Sequence, residues 1–312
     1  MEEMLNLCRQ IVIDNYNGNL TDEVLDIVSV AVMALYLKDQ DMAQKKIPGI
    51  LQNLTIYADE KPVVEIAHDR LNNHQEDNSL DNSNAAVSRR LDFDEETDKV
   101  VGEDRSLLID MRNSKNEVVR TIHNMVHEFT HLYRFGGIDD CEKEVKIYDG
   151  ISIARYNKEK HVVSRKYYQL EEGIVQRYTN QTLDLLYESL KDEKLDKNSL
   201  LYIFRRRYKT DFNNGYILQT SMLDCLCEDK GFSEAIDQSF TDFSFPSKAA
   251  NYYNSIMGSG TSFSYFSRLL DECYDSVCAE DEMKTVQQFA FLKDEINKFR
   301  FNSMKQKQKK KI

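Results

Sequence analysis

The residues best suited to chemistry are two histidines four positions apart, in the segment His127-Glu128-Phe129-Thr130-His131. Residues at this spacing project from one face of a helix, so both imidazoles can reach a single metal ion. Glu128 is rotated away from the ion but stays beside a water bound to it. The pattern predicts a catalytic zinc site with Glu128 as general base. A chance match on a polar helix face is the alternative interpretation.

A catalytic zinc ion needs a third protein ligand. The metzincin arrangement is excluded, because it requires a glycine and a third histidine at the positions occupied here by Arg134 and Gly137. Further along, Glu171-Glu172-Gly173 is predicted to open a second helix. A carboxylate on that helix, facing the first helix, would complete a set of two histidines and one glutamate.

The motif and the later glutamate-glycine pair together resemble the gluzincin group of zinc metallopeptidases, over residues 105–180. The resemblance implies a zincin-like fold, a Zn²⁺ cofactor and hydrolysis of peptide bonds. The ligands and general base that it implies are His127, His131, Glu172 and Glu128. Two positions depart from the commonest pattern: Glu171 stands where asparagine is frequent, and Gln176 where an acidic residue is frequent. Glu171 therefore stays the alternative ligand, and the group that orients the histidines stays open.

Apolar residues recur at helical spacing over most of the 312 residues, which include only three prolines and 11 glycines. The predicted fold class is α+β and predominantly helical, with a zincin-like catalytic core flanked by helical regions. The predicted parts are a helical N-terminal subdomain (1–60), the core (61–180), a helical C-terminal subdomain (181–304) and a basic tail (305–312).

Local signals place the elements of the N-terminal part. Thr21 is a predicted helix cap, and Pro48-Gly49 is expected to break or restart a helix. Val63–Ala67 predicts a short strand. Residues 72–90 are polar and rich in Asn, Asp and Ser, which predicts a mobile loop.

Other signals surround the motif. Ser106–Met111 predicts a buried strand, and Ser114 with Glu117 forms a capping-box pattern at the start of the motif helix. Asp149–Tyr156 predicts a half-exposed strand, and only helices are expected from about residue 169. Helical spacing gives the motif helix one apolar side, opposite the histidines: Val118, Val119, Ile122, Met125, Val126, Phe129, Leu132 and Tyr133.

Composition limits the classes of protein. The formal charge is −12, from 41 basic and 53 acidic side chains, which does not favour nucleic acid as a partner. The longest apolar stretch, Ile27–Leu37, is too short to span a bilayer. The acidic start Met1-Glu2-Glu3 does not resemble a secretory signal, and six cysteines in a chain this long fit reduced thiols. We expect a cytoplasmic protein.

Weaker candidates complete the site. His123, one turn before His127, is expected to line the site or support a ligand rather than bind metal. Tyr252 and Tyr253 are guesses for a group that stabilises the oxyanion. The strand from Gly150 to Tyr156 is a candidate for main-chain pairing with an extended substrate.

The sequence thus predicts a zinc-dependent metallopeptidase that acts on a peptide or protein substrate. The alternative is a non-catalytic binding or regulatory protein that keeps a zincin-like scaffold.

Overall fold

The computed structural model describes residues 1–71, 84–94, 96–97, 99–141, 144–157, 162–211, 216–241, 247–258 and 262–309. Its helices are α1 (Glu2–Asn15), α2 (Asp22–Lys38), α3 (Gln40–Gln52), α4 (Val63–Leu71), α5 (Val118–Arg134), α6 (Tyr168–Leu190), α7 (Leu200–Asp211), α8 (Ile217–Cys227), α9 (Lys230–Gln238), α10 (Lys248–Met257), α11 (Phe263–Cys278) and α12 (Glu282–Lys309). Its strands are β1 (Leu54–Asp59), β2 (Ala85–Phe93), β3 (Val100–Asp110), β4 (Phe135–Asp140), β5 (Glu144–Asp149), β6 (Ser152–Asn157) and β7 (Val162–Lys166). The predicted α+β, predominantly helical class is confirmed.

The chain forms two compact units, each made of two segments of the chain. The first unit is Met1–Tyr133 with Tyr178–Asn214, and the second is Arg134–Arg177 with Gly215–Ile312. Helices α5 and α6 are continuous and contribute residues to both units. None of the helices in the described ranges is long and apolar enough to cross a membrane.

The first unit is built around helix α2, whose residues from Val30 to Leu35 have no exposed surface. Thr21 caps this helix as predicted, because its hydroxyl accepts from the Val24 N–H. A three-stranded sheet has the order β1-β3-β2, with β1 parallel and β2 antiparallel to β3. The predicted buried strand is the end of β3, where Leu107, Leu108 and Ile109 are at most 1% exposed.

The second unit contains an antiparallel sheet of order β4-β5-β6-β7 and most of the C-terminal helices. The predicted strand after Asp149 is β6, while β4, β5 and β7 were not predicted. Buried aromatic rings hold the helices together: Tyr253 of α10 stacks on Phe299 of α12 with ring centroids 5.1 Å apart. The helices expected after residue 169 are confirmed over the described residues.

Three local predictions in the N-terminal part are wrong. Pro48 lies inside α3 without breaking it, since burial of Ile47 and Leu51 outweighs the one lost main-chain hydrogen bond. Val63–Ala67 belongs to helix α4, because Val63, Ile66 and Ala67 share the buried side of a helix. Residues 85–90 form part of β2 instead of a loop, and residues 72–83 lie outside the described residues.

Two predictions about helix ends are also wrong. Helix α5 begins at Val118, and the Ser114 hydroxyl donates to Glu23 at 2.6 Å and to the Met111 carbonyl instead of capping α5. At the C-terminus, α12 continues to Lys309, so most of the predicted basic tail is helical. Residues 310–312 lie outside the described part.

Candidate metal centre

Helix α5 positions the histidine motif by burying its apolar side. All eight residues predicted for that side are at most 4% exposed. Burial of this many large side chains fixes the rotation of the helix about its axis. The residues of the motif therefore project in a defined direction.

The two histidines converge on each other through equivalent ring atoms. Nε2 of His127 and Nε2 of His131 are 3.2 Å apart, with His127 buried and His131 half-buried. Two imidazole nitrogens bound to one tetrahedral zinc ion, at about 2.0–2.1 Å each, are roughly 3.3 Å apart. The observed spacing therefore matches a shared zinc ion, although it also permits a hydrogen bond between two neutral rings.

Glu172 of α6 supplies the third potential ligand. It is 3% exposed, and one candidate ligand atom from each of His127, His131 and Glu172 lies within 4.8 Å of the others. Two imidazoles with one carboxylate form a donor set that suits catalytic zinc and leaves a fourth position for water. The residues present thus fit the implied metal.

Glu171, the alternative ligand, is used elsewhere. Its carboxylate pairs with the Arg134 guanidinium and accepts from the Ile151 N–H at 3.0 Å. A carboxylate occupied by these donors is not available to a metal ion without breaking a buried ion pair. The structure therefore favours Glu172. Sequence reasoning missed Arg134, because nothing in the local pattern marks its partner 37 positions away.

Glu128, the candidate general base, contacts the sheet of the first unit. Its Oε2 accepts a hydrogen bond from the Val87 main-chain N–H of β2 at 2.9 Å. Glu128 is thereby held beside β2, which lies at the edge of this sheet among the strands that the structure describes. Sequence reasoning missed this contact because it interpreted residues 72–90 as a loop.

His123 lies beside the motif histidines rather than among the clustered ligand atoms. Its ring stacks against His127 with centroids 6.3 Å apart, and its Nδ1 is 3.2 Å from Oδ1 of Asn124. Burial lowers the pKa of His123 to about 4, with a further contribution from His127. His123 is therefore neutral at physiological pH, as a packing neighbour of the site should be.

The hydroxyls of Tyr252 and Tyr253, the sequence candidates for stabilising the oxyanion, have other partners. The Tyr252 hydroxyl donates to Asp229 at 2.7 Å, and the Tyr253 hydroxyl donates to Glu295 at 3.2 Å within the helical core. Tyr274 of α11 lies within the electrostatic influence of Glu172. Burial raises the pKa of Tyr274 to about 12, and a hydrogen bond with Cys278 and the negative charge of Glu172 add to the rise.

The suggested substrate strand is wrong as well. Strand β6 is hydrogen-bonded to β5 on one side and β7 on the other. Its main-chain groups are therefore engaged and cannot pair with an extended substrate. Strand β2 contacts Glu128 and is the better candidate.

A small cavity adjoins the first half of α5. Thr121 and Asn124 line it from the same side of α5 as Glu128, with Glu117 just before the helix and with Asn84, Ala85, Ile109, Asp110 and Asn113 around it. Its lining is partly polar and partly apolar, and it has room for about one water molecule.

The chain matches no family model, no curated protein and no solved structure. The resemblance to gluzincins therefore depends on the motif, on Glu172 and on the geometry described above.

Proposed function

We propose that this chain is a zinc-dependent metallopeptidase of the gluzincin type, with a zincin-like core. The observation that carries the proposal is the convergence of His127, His131 and Glu172 within 4.8 Å. These three side chains would hold the ion. When bound, zinc would lower the pKa of a water molecule to about 7 and polarise the carbonyl of the substrate.

The residues of the chain would do the remaining work. Glu128 takes a proton from the attacking water and returns it to the leaving amine nitrogen. The Val87 N–H holds the Glu128 carboxylate in place for both transfers.

The proposed substrate is a peptide or protein segment that lies along β2. The edge position of β2 and its contact with Glu128 support this placement. We extend the proposal to a cytoplasmic location, which the six free cysteines support.

The test combines metal analysis with cleavage of a mixed peptide pool followed by mass spectrometry. The purified protein should contain one zinc ion per chain, and His127→Ala should lose it. Glu128→Gln should keep zinc but cleave peptides about 10²–10⁴-fold more slowly, as expected for loss of a general base. Glu188→Gln, the same change at an exposed position of α6, is the matched control.

Two results would contradict the proposal. One is a wild-type protein that binds no zinc. The other is zinc binding without cleavage by either wild type or Glu128→Gln, which would support a binding protein on a zincin-like scaffold.

A further inference from the structure

The second unit contains a buried ion pair formed by Arg134, the last residue of α5, and Glu171, in the first turn of α6. The two side chains are 0% and 2% exposed. Arg134 donates through Nε and Nη2 to both carboxylate oxygens, the second at 3.0 Å. Two parallel hydrogen bonds fix the orientation of both planar groups.

The surroundings restrain the pair further. Ile151 N–H donates to Glu171 at 3.0 Å, and Arg134 Nη1 donates to the Ser239 hydroxyl at 3.1 Å. The guanidinium lies over the Phe240 ring, 4.2 Å from its centroid. Contacts from the β5–β6 turn and from the end of α9 therefore hold the pair on two sides.

Gly150 makes room for the pair. Its φ is +57°, and a Cβ atom there would lie 2.5 Å from Arg134 Nη2 and clash with the Glu171 carboxylate. Its main-chain N–H also donates to the Arg134 carbonyl at 2.6 Å. A side chain at position 150 would thus displace the pair directly.

Stability alone does not account for this arrangement. Removing two charges from water costs about as much as their attraction returns, and apolar side chains of similar volume often stabilise a fold equally well. The informative feature is where the two residues of the pair lie relative to the proposed ligands. Arg134 follows His131 by three residues on α5, and Glu171 directly precedes Glu172 on α6.

We propose that the Arg134–Glu171 pair positions Glu172 toward the two ligand imidazoles and so sets the zinc affinity of the site. The pair joins the end of one ligand-bearing helix to the start of the other. This inference depends on zinc binding in the proposed function but not on hydrolysis.

The test measures zinc affinity by competition with a chromophoric chelator. The variant Arg134→Met/Glu171→Leu removes both charges at similar volume, so the fold should be retained. Zinc should bind about 10–100-fold more weakly, the range found when groups that support metal ligands are lost. The absorption spectrum of the Co²⁺ form should also change, because the carboxylate ligand is misplaced.

A coupling measurement separates positioning from general support of the fold. In a Glu172→Ala background, the same double substitution should cause little further loss of zinc affinity, because the pair acts through Glu172. An equal loss with and without Glu172 would overturn the proposal. Unchanged zinc affinity of the double variant in the wild-type background would overturn it too.

Two glycine variants keep the test decisive if the double variant fails to fold. Gly150→Ala should weaken zinc binding at least tenfold by displacing the pair. Gly258→Ala replaces a glycine with a φ of +69° and a ψ of −146°, a conformation that other residues rarely adopt, and nothing lies within 4 Å of its Cβ, so it reports backbone strain without displacing the pair. Equal zinc affinities of these two variants would refute the proposal.

The outcomes distinguish this inference from the proposed function. A protein that binds zinc with the predicted dependence on the pair, yet cleaves no peptide, would end the peptidase proposal and leave the positioning role intact. A wild-type protein that binds no zinc would end both.

Discussion

The main-chain N–H of Val87 donates a hydrogen bond to Oε2 of Glu128 at 2.9 Å. Val87 pairs with Leu107 of β3, yet its N–H points to the other side of β2 and so reaches α5. A single main-chain donor thus fixes the carboxylate of the proposed general base. The rate of proton transfer should depend on this donor, because a general base must be held within hydrogen-bonding reach of the proton it takes.

Val87→Pro tests this contact, because proline removes the N–H without changing the charge of the site. Proline is tolerated on an edge strand where the N–H does not pair with the sheet. We expect kcat to fall about 10- to 100-fold, since a hydrogen bond to a charged group contributes roughly 1.5–3 kcal/mol. Zinc content should stay at the wild-type value. Peptide cleavage and metal analysis on one preparation measure both.

Leu91→Pro is the matched control for that variant. Leu91 lies four residues after Val87 on β2, so its main-chain N–H points to the same side of the strand as that of Val87. Its substitution should leave kcat within about threefold of wild type. If both proline variants lost activity equally, the cause would be damage to β2 rather than loss of the Glu128 contact.

Gly173, beside the proposed ligand Glu172, makes a close contact between helices. A Cβ at this position would lie 3.0 Å from Cβ of Gln219 and 3.1 Å from its carbonyl carbon and oxygen in α8. Gly173→Ala should therefore push α6 away from α8 and lower the free energy of unfolding by about 1–3 kcal/mol. Zinc affinity should fall as well, because Glu172 moves with the helix. Urea unfolding and zinc titration measure the two effects.

Gly49 provides the opposite case. It lies inside α3 with nothing within 4 Å of a Cβ. Gly49→Ala should raise the free energy of unfolding by about 0.5–1 kcal/mol, because alanine loses less conformational entropy in a helix. Destabilisation by both glycine substitutions would show that the contact with Gln219 is not the cause at position 173.

The sequence predicted what depends on local spacing. Helical periodicity alone predicts the eight apolar residues of α5 and places His127 and His131 on the other side of the helix. The structure has the buried apolar side and brings the two histidines together. The sequence also correctly placed Glu172 and Gly173 near the start of a helix. It did not show why residue 173 is a glycine, because the reason is the close approach of Gln219 in α8. Local periodicity was also present in α4 but was interpreted as a strand, because five residues are too few to separate the two periods.

The remaining features depend on contacts between distant segments. Ser114 fits a capping box in sequence, but Glu23, 91 positions earlier, competes for its hydroxyl. Strand β2 follows a polar run and buries only Ala85 fully, so its first residues did not stand out from the predicted loop. The partnership of Arg134 with Glu171 likewise becomes visible only when the ends of α5 and α6 are placed together.

Asp229 holds the C-terminal helix in the second unit. It caps α9 through the Phe232 N–H and accepts from Tyr252 and Lys307, at 2.7 and 2.8 Å, and from Ser303. Burial would raise the pKa of Asp229, but these donors outweigh burial and hold the pKa well below its usual range.

Asp229→Asn should therefore lower the free energy of unfolding at pH 7 by about 1–3 kcal/mol, the range for hydrogen bonds to a charged group. Because the folded pKa is depressed, the wild-type advantage is fully present above about pH 4 and shrinks as the pH falls further. Thermal unfolding at pH 7 and pH 3 measures the difference. A difference that grew on acidification would contradict this account.

Asp271 of α11 has the opposite dependence on pH. Burial raises its pKa to about 6, the charges of Asp275 and Glu272 add to the rise, and the Gln169 N–H at the start of α6 only partly opposes it. The folded state thus holds the proton more tightly than the unfolded chain, whose aspartate pKa is about 3.9. The stabilising contribution is complete below about pH 4 and is lost as the pH rises through about 6.

Asp271→Asn removes this titration but keeps an oxygen that can accept from Gln169. The variant should gain about 1–2 kcal/mol over wild type between pH 4 and pH 8, less than the full two-unit shift implies because the carboxylate is partly exposed. Urea unfolding of both proteins across this range measures the gain, and a constant difference would mean that Asp271 is ionised in the folded protein throughout.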